Sequence, residues 1–269
     1  MTSTTAPART VRHGMPWWTF GIANVAVVAI LGTLSWWLLV DPAWSPFGAY
    51  PQPYTAMLFW TIISTVWLAF TFGWTGPAGL PQPLRGLAAI ATSVVIGVGI
   101  TLLLAGVYGS VDPTFAASRP EGTGFTAGNL VVLFAFFFYV TAAVNWEQWP
   151  WAGLPQPLRG LGELALPAIP TVALYALLVL PNLAVWGDPA TAVFSIATLI
   201  GWVYSVIVAV VVTGVLLDNR PWSSIRSPGL RVAVSLVGNI VIGTGIYYLN
   251  LGTALLLLGR TTPARSGPA

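Results

Sequence analysis

Residues 193–217 decide the fold: they read VFSIATLIGWVYSVIVAVVVTGVLL and contain no charged side chain. An α-helix rises about 1.5 Å per residue, so about 20 apolar residues cross the hydrocarbon core of a bilayer. A soluble amphipathic helix would place polar residues at every third or fourth position, and this stretch has no such face. The pattern therefore predicts a transmembrane helix.

Six further apolar blocks have the same character, near residues 17–40, 55–74, 87–108, 129–149, 164–186 and 232–259. The whole chain is 56% hydrophobic and only 6% charged, whereas a soluble domain is usually about 25% charged. We therefore predict an all-α polytopic membrane protein of about seven transmembrane helices, with no cleavable signal before the first. The predicted parts are an N-terminal tail (1–16), one membrane domain (17–259) and a C-terminal tail (260–269).

An internal repeat follows from the loops between these blocks. The sequence AGLPQPLRGL occurs at 78–87 and again at 152–161, 74 positions later, and residues 221–231 resemble a degenerate third copy. Asp-Pro pairs follow the first, third and fifth blocks at positions 41, 112 and 188. Aspartate caps free helix amides and proline suits a first helical turn. The pattern predicts one lone helix followed by three parallel helical-hairpin repeats, roughly 55–113, 129–189 and 193–259.

The arginines predict the orientation, since short cytoplasmic loops are enriched in positive charge. With the N-terminus inside, the cytoplasmic side has seven arginines and the outer side three. Arginine without any lysine also favours a GC-rich bacterial source. We expect a multi-pass protein of the bacterial cytoplasmic membrane, with its N-terminus inside and its C-terminus outside. The cytoplasmic set is Arg9, Arg12, Arg85, Arg159, Arg220, Arg226 and Arg231.

The proline-rich loops have two interpretations. Two prolines in each copy predict a stiff, extended connector. The arginines beside it would then bind lipid headgroups at the interface. Alternatively, the three similar loops form a gate or a partner-docking surface. The arginines concerned are Arg85, Arg159, Arg226 and Arg231.

Acidic residues are the rarest feature of the blocks and mark function by default. Glu147 lies in the sequence Asn145-Trp146-Glu147, and Glu163 follows the second loop copy. Glu147 among tryptophans could carry protons along a pathway shared with Asn145 and Trp146. The simpler interpretation is a partly hydrated glutamate paired with Arg159.

The last block is the predicted lining helix for a solute. Asn239, Tyr247 and Tyr248 supply polar groups there. Small residues at Gly238, Gly243 and Gly245 would admit a neighbouring helix or a solute.

Metal, redox and nucleophilic chemistry have few candidate residues. The chain has no cysteine and a single histidine, His13, so paired-histidine haem and zinc or copper sites are not expected. No serine–histidine pair is available within the blocks. We predict no cofactor, no metal and no catalytic residue, and an enzyme is the least supported class. Scattered arginines also argue against nucleic-acid binding.

Two functions remain from the sequence. The first is a membrane transporter or facilitator for a small, uncharged solute, motivated by the repeats and the glycine-rich last block. The second is a non-catalytic integral membrane subunit that anchors or stabilises a larger complex. The expected partners are the lipid bilayer and either further copies of the chain or another membrane protein.

Overall fold

The computed structural model describes residues 16–41, 43–46, 50–118, 123–183 and 193–258. These residues form helices and turns, with no strand among them. Seven of the helices in these ranges are long and apolar enough to cross a membrane, which confirms the number predicted. The predicted tails, apart from Pro16, and the Asp188-Pro189 pair lie outside the described residues.

The chain divides into two compact units, residues 1–54 and 55–269. The first unit contains helix α1, Trp17–Leu39, which is apolar on all sides. After α1, the Asp41 carboxylate accepts the amide of Ala43 at 2.8 Å. Residues 43 and 44 form a turn and not the start of a helix, so this bond closes a turn rather than providing the predicted helix cap. Pro42 lies outside the described residues.

The second unit is a helical bundle around helix α4, Thr123–Val140, and 78% of the residues in the apolar stretch of this span are buried. Two clusters of buried side chains meet on α4. One includes Trp60 and Val206, and the other includes Tyr175 and Val203. The helices are α2 Tyr54–Val66, α3 Leu84–Leu102, α4 Thr123–Val140, α5 Leu158–Leu178, α6 Ile196–Val211, α7 Arg220–Ser223 and α8 Pro228–Leu258.

Helices α2, α4 and α6 end in the same way. Each continues into a five-residue π-helical segment: Trp67–Thr71, Thr141–Asn145 and Val212–Leu216 respectively. Two consecutive residues with left-handed φ follow in each case, namely Gly73 and Trp74, Glu147 and Gln148, and Asp218 and Asn219. The backbone amide of the second residue in each pair donates to a carbonyl oxygen of the preceding helical segment. These bonds are Trp74 to Leu68 at 2.8 Å, Gln148 to Ala142 at 3.1 Å and Asn219 to Gly214 at 3.1 Å. Such closure satisfies carbonyls that a helix end would leave unpaired.

The proline-rich loops differ from the extended connectors predicted. The helices begin at Leu84 and Leu158 rather than near 87 and 164, with Pro83 and Pro157 at their N-caps. Backbone amides at positions 85, 87, 159 and 161 already bond the carbonyl four residues back at 3.0–3.2 Å, for example Arg85 to the Pro81 carbonyl at 3.0 Å. The fixed φ of proline suits a first helical turn, where its missing N–H costs no bond. Leu80 does have an extended backbone.

Candidate functional site

The turns that follow α2, α4 and α6 lie together at one end of the second unit, which we call the loop-side end. Gln148 Nε2 donates to the carbonyl oxygen of Phe70 at 3.0 Å. Gln156 Nε2 donates to the carbonyl oxygen of Thr71 at 2.9 Å. The end of α2 is therefore bonded to the turn and the proline-rich loop that follow α4.

A buried amide network occupies the interior beside this end. Asn239 of α8 donates through Nδ2 to Asn145 Oδ1 at 2.9 Å, and Asn145 Nδ2 donates to Asn219 Oδ1 at 3.1 Å. Thr213 Oγ1 lies 2.8 Å from Asn239 Oδ1. Asn145 and Asn239 are fully buried, and Thr213 and Asn219 nearly so. Because these amides satisfy one another, the network joins α4, α6 and α8 without leaving a polar group for a solute.

Glu147 lies at the edge of this network. Its Oε1 accepts from Asn219 Nδ2 at 3.2 Å, and its Oε2 is paired with Arg231 Nη1. The Glu147 side chain is 53% exposed. The pairing with Arg159 that we expected is wrong. Arg159 Nη1 instead donates to Gln148 Oε1 at 3.0 Å. The left-handed backbone at Glu147 directs its side chain to the following helical hairpin, where Arg231 lies. A proton pathway through Glu147 was predicted on the basis of a buried carboxylate, and the carboxylate is not buried.

The other predicted arginines have different surroundings. Arg231 also donates through Nε and Nη2 to the Ile225 carbonyl, at 3.2 and 3.1 Å, which fixes the third turn. Arg226 is exposed and Arg85 is half-buried. These two have no hydrogen-bond or ionic partner among the described residues. Of the four loop arginines, these two remain available to lipid phosphate.

A cavity of about 230 Å³ lies at a distance along α6 and α8 from the amide network. Two of its lining residues are hydrogen-bonded to each other: Trp202 Nε1 of α6 donates to Thr244 Oγ1 of α8 at 2.9 Å. Both tyrosines predicted on the last helix, Tyr247 and Tyr248, line it. The complete lining is Leu178, Phe194, Thr198, Leu199, Trp202, Thr244, Tyr247 and Tyr248.

The cavity and the loop-side end are separated by close packing of α6 on α8. A Cβ built on Gly243 would lie 2.4 Å from the Cα of Val206, so the two backbones touch there. Gly238 lies against the ring of Trp222, whereas Gly245 has no heavy atom within 4 Å of an added Cβ. The predicted close helix approach is thus confirmed at Gly243 and absent at Gly245.

The structure therefore brings the predicted site residues together in two groups. Asn145, Asn239 and Glu147 belong to the loop-side network, and Tyr247 and Tyr248 belong to the cavity. Trp146 is buried but its indole N–H has no partner among the described residues. Sequence reasoning missed Thr213, Asn219, Trp202 and Thr244. Small polar residues and tryptophans are common in and near membrane spans, and only the register of the helices makes these four residues partners.

The described residues contain no cluster of three His, Cys, Asp or Glu side chains able to hold a metal ion. Asp112, the second of the Asp-Pro residues, caps a short 3-10 helix by accepting the Thr114 amide at 2.9 Å. Comparison with protein-family models, with curated proteins and with solved structures finds no match to this chain.

Proposed function

We propose that the chain is a multi-pass integral membrane protein in which α1 precedes three parallel hairpins, α2–α3, α4–α5 and α6–α8. Seven helices of membrane length support insertion. The shared π-helical ending of α2, α4 and α6 supports the repeat, because each ending lies at the same place in its hairpin. The excess of arginines in the turns supports a cytoplasmic loop-side end, with the N-terminus inside and the C-terminus outside a bacterial cytoplasmic membrane.

This topology predicts opposite accessibility for two exposed serines. The chain has no cysteine, so single cysteines report cleanly. Ser224→Cys, in the third turn of the loop-side end, should be protected from a membrane-impermeant maleimide added to intact cells. Ser118→Cys, beyond α3 at the other end, should be labelled by it. Both should react after the cells are permeabilised, and the reverse pattern in intact cells would overturn the orientation.

The function that the geometry supports best is facilitated passage of a small, uncharged solute. The cavity carries this proposal: it combines apolar and aromatic walls with the hydroxyl groups of Thr198 and Tyr247. Pockets for neutral ligands have this composition, with a few polar groups that fix orientation. The solute class that fits has an apolar body and one or two hydrogen-bonding groups.

Passage of a solute also requires a gate that opens and closes the path. We propose that this gate is the contact between α6 and α8 at Val206 and Gly243. It lies between the cavity and the amide network along both helices. The cavity would then represent a state closed toward the loop-side end. Opening requires α6 and α8 to separate or shift, as helices do in alternating-access transporters.

Liposomes that contain the purified chain should admit uncharged aromatic and aliphatic alcohols faster than empty liposomes, as measured by stopped-flow osmotic swelling. Trp202→Ala should slow this flux, because it removes one wall of the cavity and the bond to Thr244. Tyr204→Ala is the matched control, since this exposed aromatic lies on the same helix outside the cavity. The proposal would be contradicted if every solute in the panel entered these liposomes no faster than it enters empty liposomes.

A second candidate is the non-catalytic membrane subunit. The observation that favours it is α1, a helix apolar on all sides that forms a unit distinct from the bundle. A helix with this composition suits contact with another membrane protein as well as contact with lipid. Native mass spectrometry of the chain purified from its own membranes separates the two: a stoichiometric partner protein favours the subunit, and a lone or homo-oligomeric chain favours the facilitator.

A further inference from the structure

Glu163 is the one acidic side chain in the described residues of the bundle that is both buried and unpaired. It lies on α5, five residues after the first residue of this helix, Leu158, and is 4% exposed. Neither of its carboxylate oxygens has a hydrogen-bond partner in the part of the chain that the structure describes. Glu147, by contrast, is half-exposed and bonded at both oxygens.

An ionised carboxylate cannot remain in such a place without compensation. Transfer of an isolated charge out of water costs far more than folding can supply, and the group takes up a proton instead. A protonated glutamate side chain is neutral, and its remaining energetic cost is that of one buried O–H group without a hydrogen-bond acceptor. Burial without partners therefore points to a proton as the species that occupies this site.

Among the described residues, the cation near Glu163 is Arg159, one helical turn earlier on the same face of α5. It does not form an ion pair with Glu163, because its Nη1 donates to Gln148 Oε1 and its Nε has no partner. The guanidinium therefore lies within reach of the carboxyl group but is directed elsewhere.

The segments that make the main contacts with α5 contribute one further titratable group. These are α4, the π-helical segments Trp67–Thr71 and Thr141–Asn145, and the short 3-10 turn Leu180–Asn182. Their single titratable side chain is Tyr139, whose hydroxyl already donates to the carbonyl oxygen of Leu164 at 2.5 Å. Tyr139 carries no positive charge in either protonation state and cannot neutralise a Glu163 carboxylate, so Arg159 is the available counter-ion among these segments and α5.

We propose that Glu163 is a proton-binding site of the loop-side end, with Arg159 as its alternating counter-ion. When the O–H bond of Glu163 breaks, the proton leaves to water at the loop-side end and the electron pair stays on the carboxylate. The Arg159 guanidinium then breaks its hydrogen bond to Gln148 and forms an ion pair with the Glu163 carboxylate. Gln148 also bonds the Phe70 carbonyl, so proton loss alters a contact between the first and second hairpins. This inference goes beyond the proposed function, since it requires no solute.

Dicyclohexylcarbodiimide provides the test, because it modifies carboxyl groups that are protonated in apolar surroundings. The full chain in lipid vesicles is treated over a range of pH, and modified peptides are located by mass spectrometry. We expect label on Glu163 that falls as the pH rises, none on Glu147, and its loss in Glu163→Gln. Absence of label on Glu163 at every pH, or label of equal extent on Glu147, would overturn the proposal.

The counter-ion role has its own test. Arg159→Gln removes the cation that stabilises the carboxylate, so label on Glu163 should persist to higher pH. Arg85→Gln is the matched control, because Arg85 occupies the same place in the first loop copy and should leave the profile unchanged. An unchanged profile in Arg159→Gln would exclude Arg159 as the counter-ion. Should Glu163→Gln fold poorly, infrared difference spectra of the wild-type chain report the same proton through the carboxylic acid C=O band, and its absence also counts against the site.

Discussion

Replacing Asn145 by alanine should lower the free energy of unfolding by about 2–4 kcal/mol, because two buried partners each lose a bond worth about 1–2 kcal/mol here. The Nδ2 group of Asn239 and the Oδ1 atom of Asn219 both bond the Asn145 side chain, and both side chains are buried. Hydrogen bonds between membrane helices are often weaker than this. The full burial of Asn145 places it at the strong end of that range.

The measurement is unfolding of the purified chain in mixed micelles, followed by tryptophan fluorescence. Asn250→Ala is the control, since Asn250 is an exposed asparagine on α8 and its removal leaves no buried partner. A double-mutant cycle with Asn239→Ala isolates the pair: the double variant should lose less than the sum of the single variants. If Asn145→Ala and Asn250→Ala are equally stable, the network does not hold the helices together.

The number and approximate place of the apolar helices could be predicted from sequence, because twenty consecutive apolar residues have few alternatives in a bilayer. The starts of α3 and α5 were wrong by three and six residues. Prolines that break a helix interior are compatible with its first turn, and the sequence does not say which of the two applies. Hydropathy therefore predicts where the helices lie along the chain but does not predict the residues at which α3 and α5 begin.

The side-chain partners could not be predicted. Asn145 and Asn239 were both singled out, yet nothing in the sequence links positions 94 apart until the helices are in register. Glu147 and Glu163 looked alike because both lie near the same end of their spans. A left-handed turn directs Glu147 to Arg231 and to solvent, whereas the regular helix keeps Glu163 inside. That difference depends on backbone direction, which residue type alone does not encode.

Gly243→Ala should lower the free energy of unfolding by about 1–3 kcal/mol, the usual range for overpacking a well-packed contact. The added methyl group would lie 2.4 Å from the Val206 Cα and 2.7 Å from its backbone nitrogen. No side-chain rotation can relieve a clash with backbone, so α6 and α8 must move apart.

Gly245→Ala is the matched control, two residues further along α8, where an added Cβ meets nothing within 4 Å. Alanine is the better helix former by about 1 kcal/mol, so this variant should be as stable as the wild-type chain or slightly more stable. Both changes add one methyl group to one helix, and their difference therefore measures the contact rather than the residue type. Equal stability of the two variants would mean that α6 and α8 are not packed backbone to backbone, and the gate proposed between the cavity and the loop-side end would lose its basis.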